Sequence, residues 1–203
     1  QEKGEKTLGF GRAKCVADCS AEEAAAWFFE YCSRERMVMS QEEGDPARLE
    51  TRNGGKGRVN EKLFATVKKL RFPLHKREFV LRFVWQRGHL DGNMSVAFVP
   101  AEEKVDYGGN LGKLVRATTS GIFTAKNIED QDGVHQCKLT YTQFMDAGGH
   151  IPVKVVDRTI PRGLSAIATL RDSFNRDEEV DKAALASLAN IIKNEPQDYT
   201  DKE

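Results

Sequence analysis

The sequence has no long hydrophobic run: its apolar stretches all fall far short of the roughly 20 residues that a membrane-spanning helix needs. It has no net charge either, because 31 Lys and Arg balance 31 Asp and Glu. No whole-molecule field therefore draws it to nucleic acid or to an anionic membrane, and any basic surface has to be local. The four cysteines, Cys15, Cys19, Cys32 and Cys137, form no Cys-x-x-Cys pair and no zinc-type spacing with the four histidines. Reduced thiols are expected, with no metal and no cofactor. Catalytic signatures are missing too: there is no nucleophile elbow, no phosphate loop and no His-Glu-x-x-His. His75, His89, His135 and His150 all sit beside turn signals, where an exposed imidazole is the default. No secretory signal is visible, and the polar opening QEKGEK, without a methionine, points to a cytoplasmic module of a longer protein.

What is present is periodic. Only 39% of the 203 residues are hydrophobic, but they are grouped in patterned runs, and no linker divides them. The length suits one domain over residues 1–203 with a full core and an internal pocket, and with flexible ends at 1–8 and 194–203. Ser20 followed by Glu23 is a capping box ahead of Ala24, Trp27, Phe28 and Tyr31, which predicts a helix from Ala21 to Ser33. After a turn-rich stretch from Gly44 to Arg58, with a short strand at Arg48 to Arg52, strand patterns follow at Leu63 to Leu70, Arg77 to Gln86 and Met94 to Val99. Further strands are predicted at Leu114 to Ala117, Gly121 to Ala125 and Gln136 to Phe144, with turns at Asp91-Gly92 and Asp132-Gly133. Together these read as an antiparallel meander. From Pro152 to Phe174 apolar residues recur every three or four positions, a helix with one buried stripe that Pro161 and Gly163 should kink. Val180, Ala184, Leu185, Leu188, Ile191 and Ile192 repeat the pattern, as a continuation or as a second helix.

Phe79, Leu81, Phe83 and Trp85 share one strand face, with Val80, Arg82 and Val84 on the other. Four large inward positions suit either an ordinary core or the wall of a ligand cavity. Tyr141 and Gln143 share a face of the last strand and offer polar contacts inside an apolar pocket, if that face is the inner one. The loop from Pro100 to Lys113 is too long and glycine-rich for a tight hairpin, a length usually tied to function or disorder. Lys68, Lys69, Arg71, Lys76 and Arg77 form a basic cluster that reads as a solvated face or as a site for anionic headgroups.

Three segments in this order resemble the START (StAR-related lipid-transfer) family: RFPLHKREFVLRFVW at Arg71 to Trp85, LVRA at Leu114 to Ala117, and CKLTYTQFMDAGGHIP at Cys137 to Pro152. The resemblance runs from about Gly11 to Phe174. It implies an α+β helix-grip fold, a curved antiparallel sheet wrapped around a long C-terminal helix with an internal hydrophobic cavity. The site it implies comprises Phe79, Leu81, Phe83, Trp85, Val96, Phe98, Arg116, Tyr141, Gln143, Val156, Ile160, Leu164 and Ile167, with no catalytic residue. It also implies a lipid or other hydrophobic small molecule as partner, transient contact with a membrane surface, a monomer, and a gate made by the Pro100 to Lys113 loop beside the terminal helix. Gly108 and Gly109 would let that loop move, and Tyr107 and Leu111 could touch a bilayer.

Several positions depart from the family. Arg77-Glu78 stands where Arg-Asp is usual, a conservative change that suits a structural ion pair at the strand entrance, and Phe83 replaces an arginine that points into the cavity of sterol- and phosphatidylcholine-binding members. Lys154 replaces an aromatic and Asp157 an asparagine. Arg116 matches the arginine after the family's flexible loop and reads either as a ligand contact or as a loop organiser. Two other classes stay open: an enzyme of the same superfamily, such as a polyketide cyclase or aromatase, and a sensor that switches a neighbouring domain.

Overall fold

A computed structural model of the chain describes residues 8–51, 58–70, 74–89, 92–149, 151 and 160–194. Eight strands form one sheet: β1 (Leu8–Ala17), β2 (Ala47–Thr51), β3 (Glu61–Lys68), β4 (Lys76–Arg87), β5 (Met94–Pro100), β6 (Leu114–Arg116), β7 (Thr118–Asn127) and β8 (Cys137–Asp146). Their order is β1-β8-β7-β5-β4-β3-β2, antiparallel throughout, with β6 pairing in parallel with the start of β4. The meander read from the sequence is present, flanked by a strand that was not expected, β1. Its inward residues Gly11, Ala13, Cys15 and Ala17 are small, while Leu8, Phe10 and Val16 are exposed. The inner positions have to be small because the C-terminal segment lies on them: a Cβ on Gly11 would stand 2.5 Å from Ile160 Cγ2 and 2.6 Å from Leu164 Cδ1.

The described residues also form the helices α1 (Ala21–Phe29), α2 (Arg34–Glu42), α3 (Ala166–Ser173) and α4 (Asp177–Asn194). The Ser20 hydroxyl accepts from the Glu23 amide at 3.2 Å and the Glu23 carboxylate accepts from the Ser20 amide at 2.8 Å, the expected reciprocal cap. Removing it by Ser20→Ala should cost about 1 kcal/mol, read as a lower urea midpoint at unchanged slope. α1 ends at Phe29, earlier than predicted, and Ser33 caps the separate helix α2. Phe28 anchors α1 to the sheet, stacked on Phe123 with ring centroids 4.4 Å apart and edge-on to Tyr141 at 5.1 Å.

The C-terminal segment is helical over residues 160–164 and again in α3, and the break falls at Ser165. The Ser165 hydroxyl donates to the Arg162 carbonyl at 2.7 Å, a side chain competing with the helical ladder. Gly163 has a different reason from the expected kink: a Cβ there would lie 2.6 Å from Gln143 Oε1, so its absence lets the helix approach β8. Ile167 and Leu170 turn α3 into the core, whereas α4 is a separate helix that buries no residue. Among the described residues no helix is long and apolar enough to cross a membrane. The Gly148-Gly149 reversal after β8 is as read from the sequence, both glycines having positive φ (65° and 68°).

Candidate functional site

A cavity of about 250 Å³ lies between the concave face of the sheet, α1 and α2 on one side, and residues 162–169 on the other. Strand alternation builds its apolar wall: Phe79, Leu81 and Phe83 from β4, Phe64 from β3 and Phe98 from β5. The β4 parity is the predicted one. Phe83 stacks on Phe98 at 5.1 Å, while Arg82 points to the opposite face and pairs with Glu61 at 2.5 Å and with Glu103. The inner face of β8 contributes Tyr141 and Gln143, the Gln143 amide donating to the Thr119 hydroxyl at 2.9 Å. Burial pushes the Tyr141 phenol well up, so it is held as a neutral donor.

Six of the predicted site residues, Phe79, Leu81, Phe83, Phe98, Tyr141 and Gln143, thus meet at one cavity. Others do not reach it. Trp85 lies in a neighbouring groove under α1 with Met94 and Phe174, and Val96 and Ile167 are packed in the core. Ile160 and Leu164 seat on Gly11 of β1. Val156, Lys154, Asp157 and Pro152 fall outside the described residues, as do Arg71, Asp91 and His150. Arg116 is exposed and organises the preceding loop: it pairs with Glu78 at 3.1 Å and donates to the Ala101 and Glu103 carbonyls at 3.2 and 3.1 Å.

The expected ion pair at the strand entrance is formed by Glu78 with Arg116, while Arg77, the adjacent strand residue, faces the other way. Arg77 is buried and donates to the Ala147, His75 and Gly148 carbonyls at 2.5, 2.6 and 3.3 Å. Among the described residues the loop after β5 packs on the sheet and not on the C-terminal helix, unlike the expected gate. Ala101, Val105 and Tyr107 pack with Ala65 and Val80 on the convex side of the sheet, and Tyr107 donates to Glu78 at 2.9 Å. Of the basic cluster, Lys68, Lys69 and Arg77 line the cavity, Lys68 paired with Glu43 at 3.2 Å and with Asp45, whereas Lys76 donates to the Leu111 carbonyl at 3.0 Å.

The mouth of the cavity is instead strapped by charge. Glu43, just after α2, joins Arg162 at 3.0 Å and Lys68 at 3.2 Å. Partial burial would raise the Glu43 carboxyl, but the two cations outweigh it and hold the group below its ordinary range. The strap's contribution is therefore present above the ordinary carboxylate pKa and is lost as pH falls through the depressed one.

The cavity also contains cations that sequence reasoning did not place there. Arg36 of α2 is buried, its guanidinium 4.3 Å from the Trp27 ring and 4.2 Å from the Tyr31 ring. Arg48 of β2 covers the Tyr31 ring at 4.0 Å and that of Phe64 at 5.5 Å, and donates to the Tyr31 carbonyl. Trp27 and Tyr31 were legible as part of a helical stripe. Arg36 was not, since α2 has no apolar period to place it.

No family model matches the chain, and no curated protein matches it. Solved structures do. The human StarD13 (DLC2) lipid transfer and protein localization domain is 16% identical, with a TM-score of 0.62 over 87% of this chain and 82% of that one. A STAR-related lipid transfer protein fragment from Xanthomonas axonopodis is 17% identical, with a TM-score of 0.61 over 86% and 90% of the two chains. Human STARD10 is 16% identical, with a TM-score of 0.56 over 95% of this chain and 70% of that one. The fold is the helix-grip fold of the START domains.

Proposed function

We propose that this domain binds one hydrophobic ligand, a lipid of single-chain size, in the cavity between the sheet and the helices, for lipid transfer or lipid sensing. The observation that supports this most is the aromatic wall of Phe64, Phe79, Phe83 and Phe98 facing an unfilled space, in a fold whose solved neighbours are named for lipid transfer. The volume of about 250 Å³ is near the lower end for small-molecule sites, so a two-chain lipid needs the mouth to open further. Burying about 200 Å² of ligand apolar surface is worth roughly 5 kcal/mol before the costs of association, enough to hold a chain without covalent chemistry. Entry would be through the mouth, with α2 and residues 160–165 parting as the Glu43 strap breaks. On this reading the domain is a carrier or sensor at the surface of a membrane, acting as a monomer.

Titration with fatty acids, sterols and lysolipids should raise the melting temperature with one-to-one stoichiometry, because binding to the native state alone stabilises it by mass action. Each ligand should be extracted chemically unchanged. Reproducible product formation, lost on removing one cavity side chain, would replace this reading with the enzyme one.

A further inference from the structure

The cavity holds more positive charge and more hydrogen-bond donors than the described residues satisfy. Six basic and two acidic side chains line it, and both acids, Glu43 and Asp45, are engaged by Lys68 or Arg162 at the mouth. Further in, Arg36 and Arg48 both stack on the Tyr31 ring, and the ion pairs of the described residues include neither. Arg36 makes two hydrogen bonds, both from Nη1, to the Trp27 and Phe28 carbonyls at 3.1 and 3.4 Å. Its Nε and Nη2 groups meet no acceptor among the described residues. On the same wall the Trp27 indole N–H is buried without a partner. The single unpartnered acceptor, Gln143 Oε1, is at the far side against Gly163.

A charge held out of water beside a second, half-buried cation, with no counter-ion among the described residues, is costly, and stacking on aromatic faces offsets only part of that cost. An anion against the open edge of Arg36 would supply the missing charge and accept from the guanidinium, whose fork matches a carboxylate or phosphate. Loss of solvent already pulls the Arg36 guanidinium down to about 10, which leaves it charged at neutral pH. The Tyr141 phenol, kept protonated, adds a donor from β8.

We infer, resting on the ligand-binding reading above, that the ligand is an anionic single-chain amphiphile whose carboxylate or phosphate head accepts from Arg36, with its chain along Phe83 and Phe98. The polar end is thus supplied by α2 and not by β4, where Phe83 stands.

The test uses three ligands of one chain length, dodecanoate, dodecyl phosphate and dodecanol, titrated at pH 8 into the whole chain and into Arg36→Met. A charge-assisted hydrogen bond predicts that at least one anion binds about tenfold or more tightly than the alcohol. In Arg36→Met the anion should lose that advantage while dodecanol binds as before, and the retained alcohol affinity shows that the variant is folded. On acidification the dodecanoate advantage should fade as its carboxyl protonates, whereas dodecyl phosphate keeps a charge and its advantage; this arm needs no variant. Equal affinity for acid, phosphate and alcohol in the unmodified chain overturns the inference, as does discrimination that survives Arg36→Met. If none of the three binds, the reading of the cavity as a lipid site fails with it.

Discussion

Ala166→Trp is expected to abolish ligand uptake while leaving the domain folded. Ala166 opens α3 and lines the cavity, and the helix is anchored by Ile167 and Leu170, which are buried in the core. An indole directed into a space of about 250 Å³ takes the room of the ligand without removing any core contact. Loss of most of the apolar burial corresponds to about 3 kcal/mol, or about a hundredfold in affinity. The unfolding midpoint should move by less than about 1 kcal/mol, since the side chain enters a void and not a packed core. Arg82→Ala, on the other face of β4, is the matched control: it removes the pairs with Glu61 and Glu103 and should leave affinity unchanged. Competition with a fluorescent fatty-acid reporter measures both. Ala166→Trp binding like the unmodified protein would place the ligand elsewhere.

The largest stability effect is expected at Gly121, on the central strand β7. It pairs with Phe98 of β5 on one side and Gln143 of β8 on the other. Its φ is not positive, so the constraint is space and not backbone conformation. A Cβ would meet the Thr142 carbonyl oxygen and stand 2.6 Å from Phe98 Cζ. One neighbour is sheet backbone and the other a ring stacked on Phe83, so neither can move cheaply. Gly121→Val should cost more than about 4 kcal/mol, a large part of the stability of a domain of this size. Gly109→Ala, with nothing within 4 Å of its added Cβ, should stay within about 0.5 kcal/mol. Urea unfolding followed by circular dichroism separates the two, and a Gly121→Val midpoint equal to that of Gly109→Ala would contradict the β5-β7-β8 register.

The strands that were legible are those whose inward residues are large. Phe79, Leu81 and Phe83 alternate with Val80 and Arg82, so both the strand and its inward face could be read from hydropathy alone. β1 inverts the signal. Its inward positions are small because Ile160 and Leu164 press on them, and its larger apolar residues face out, so alternation of size carries no warning of a strand. α2 escapes for a related reason: it buries Arg36 and Ser40, and its apolar residues Val38 and Met39 are exposed. A guanidinium buried by aromatic faces leaves no trace in a hydropathy pattern, so with Phe83 in place of the family's arginine nothing in the sequence pointed to Arg36 as a cation of the cavity. The position of the glycine-rich loop was missed because loop length says nothing about which face of a sheet the loop crosses. Tyr107 and Val105, half-buried against Ala65 and Val80, decide that.

The most direct test of the central claim is native mass spectrometry of the purified chain after incubation with a mixture of lipids. The account predicts a single added mass per chain, in the range of a one-chain lipid, that is released unchanged on denaturation and is absent from Ala166→Trp. A chain that stays at its bare mass across the mixture, or the same added mass on Ala166→Trp, would contradict it.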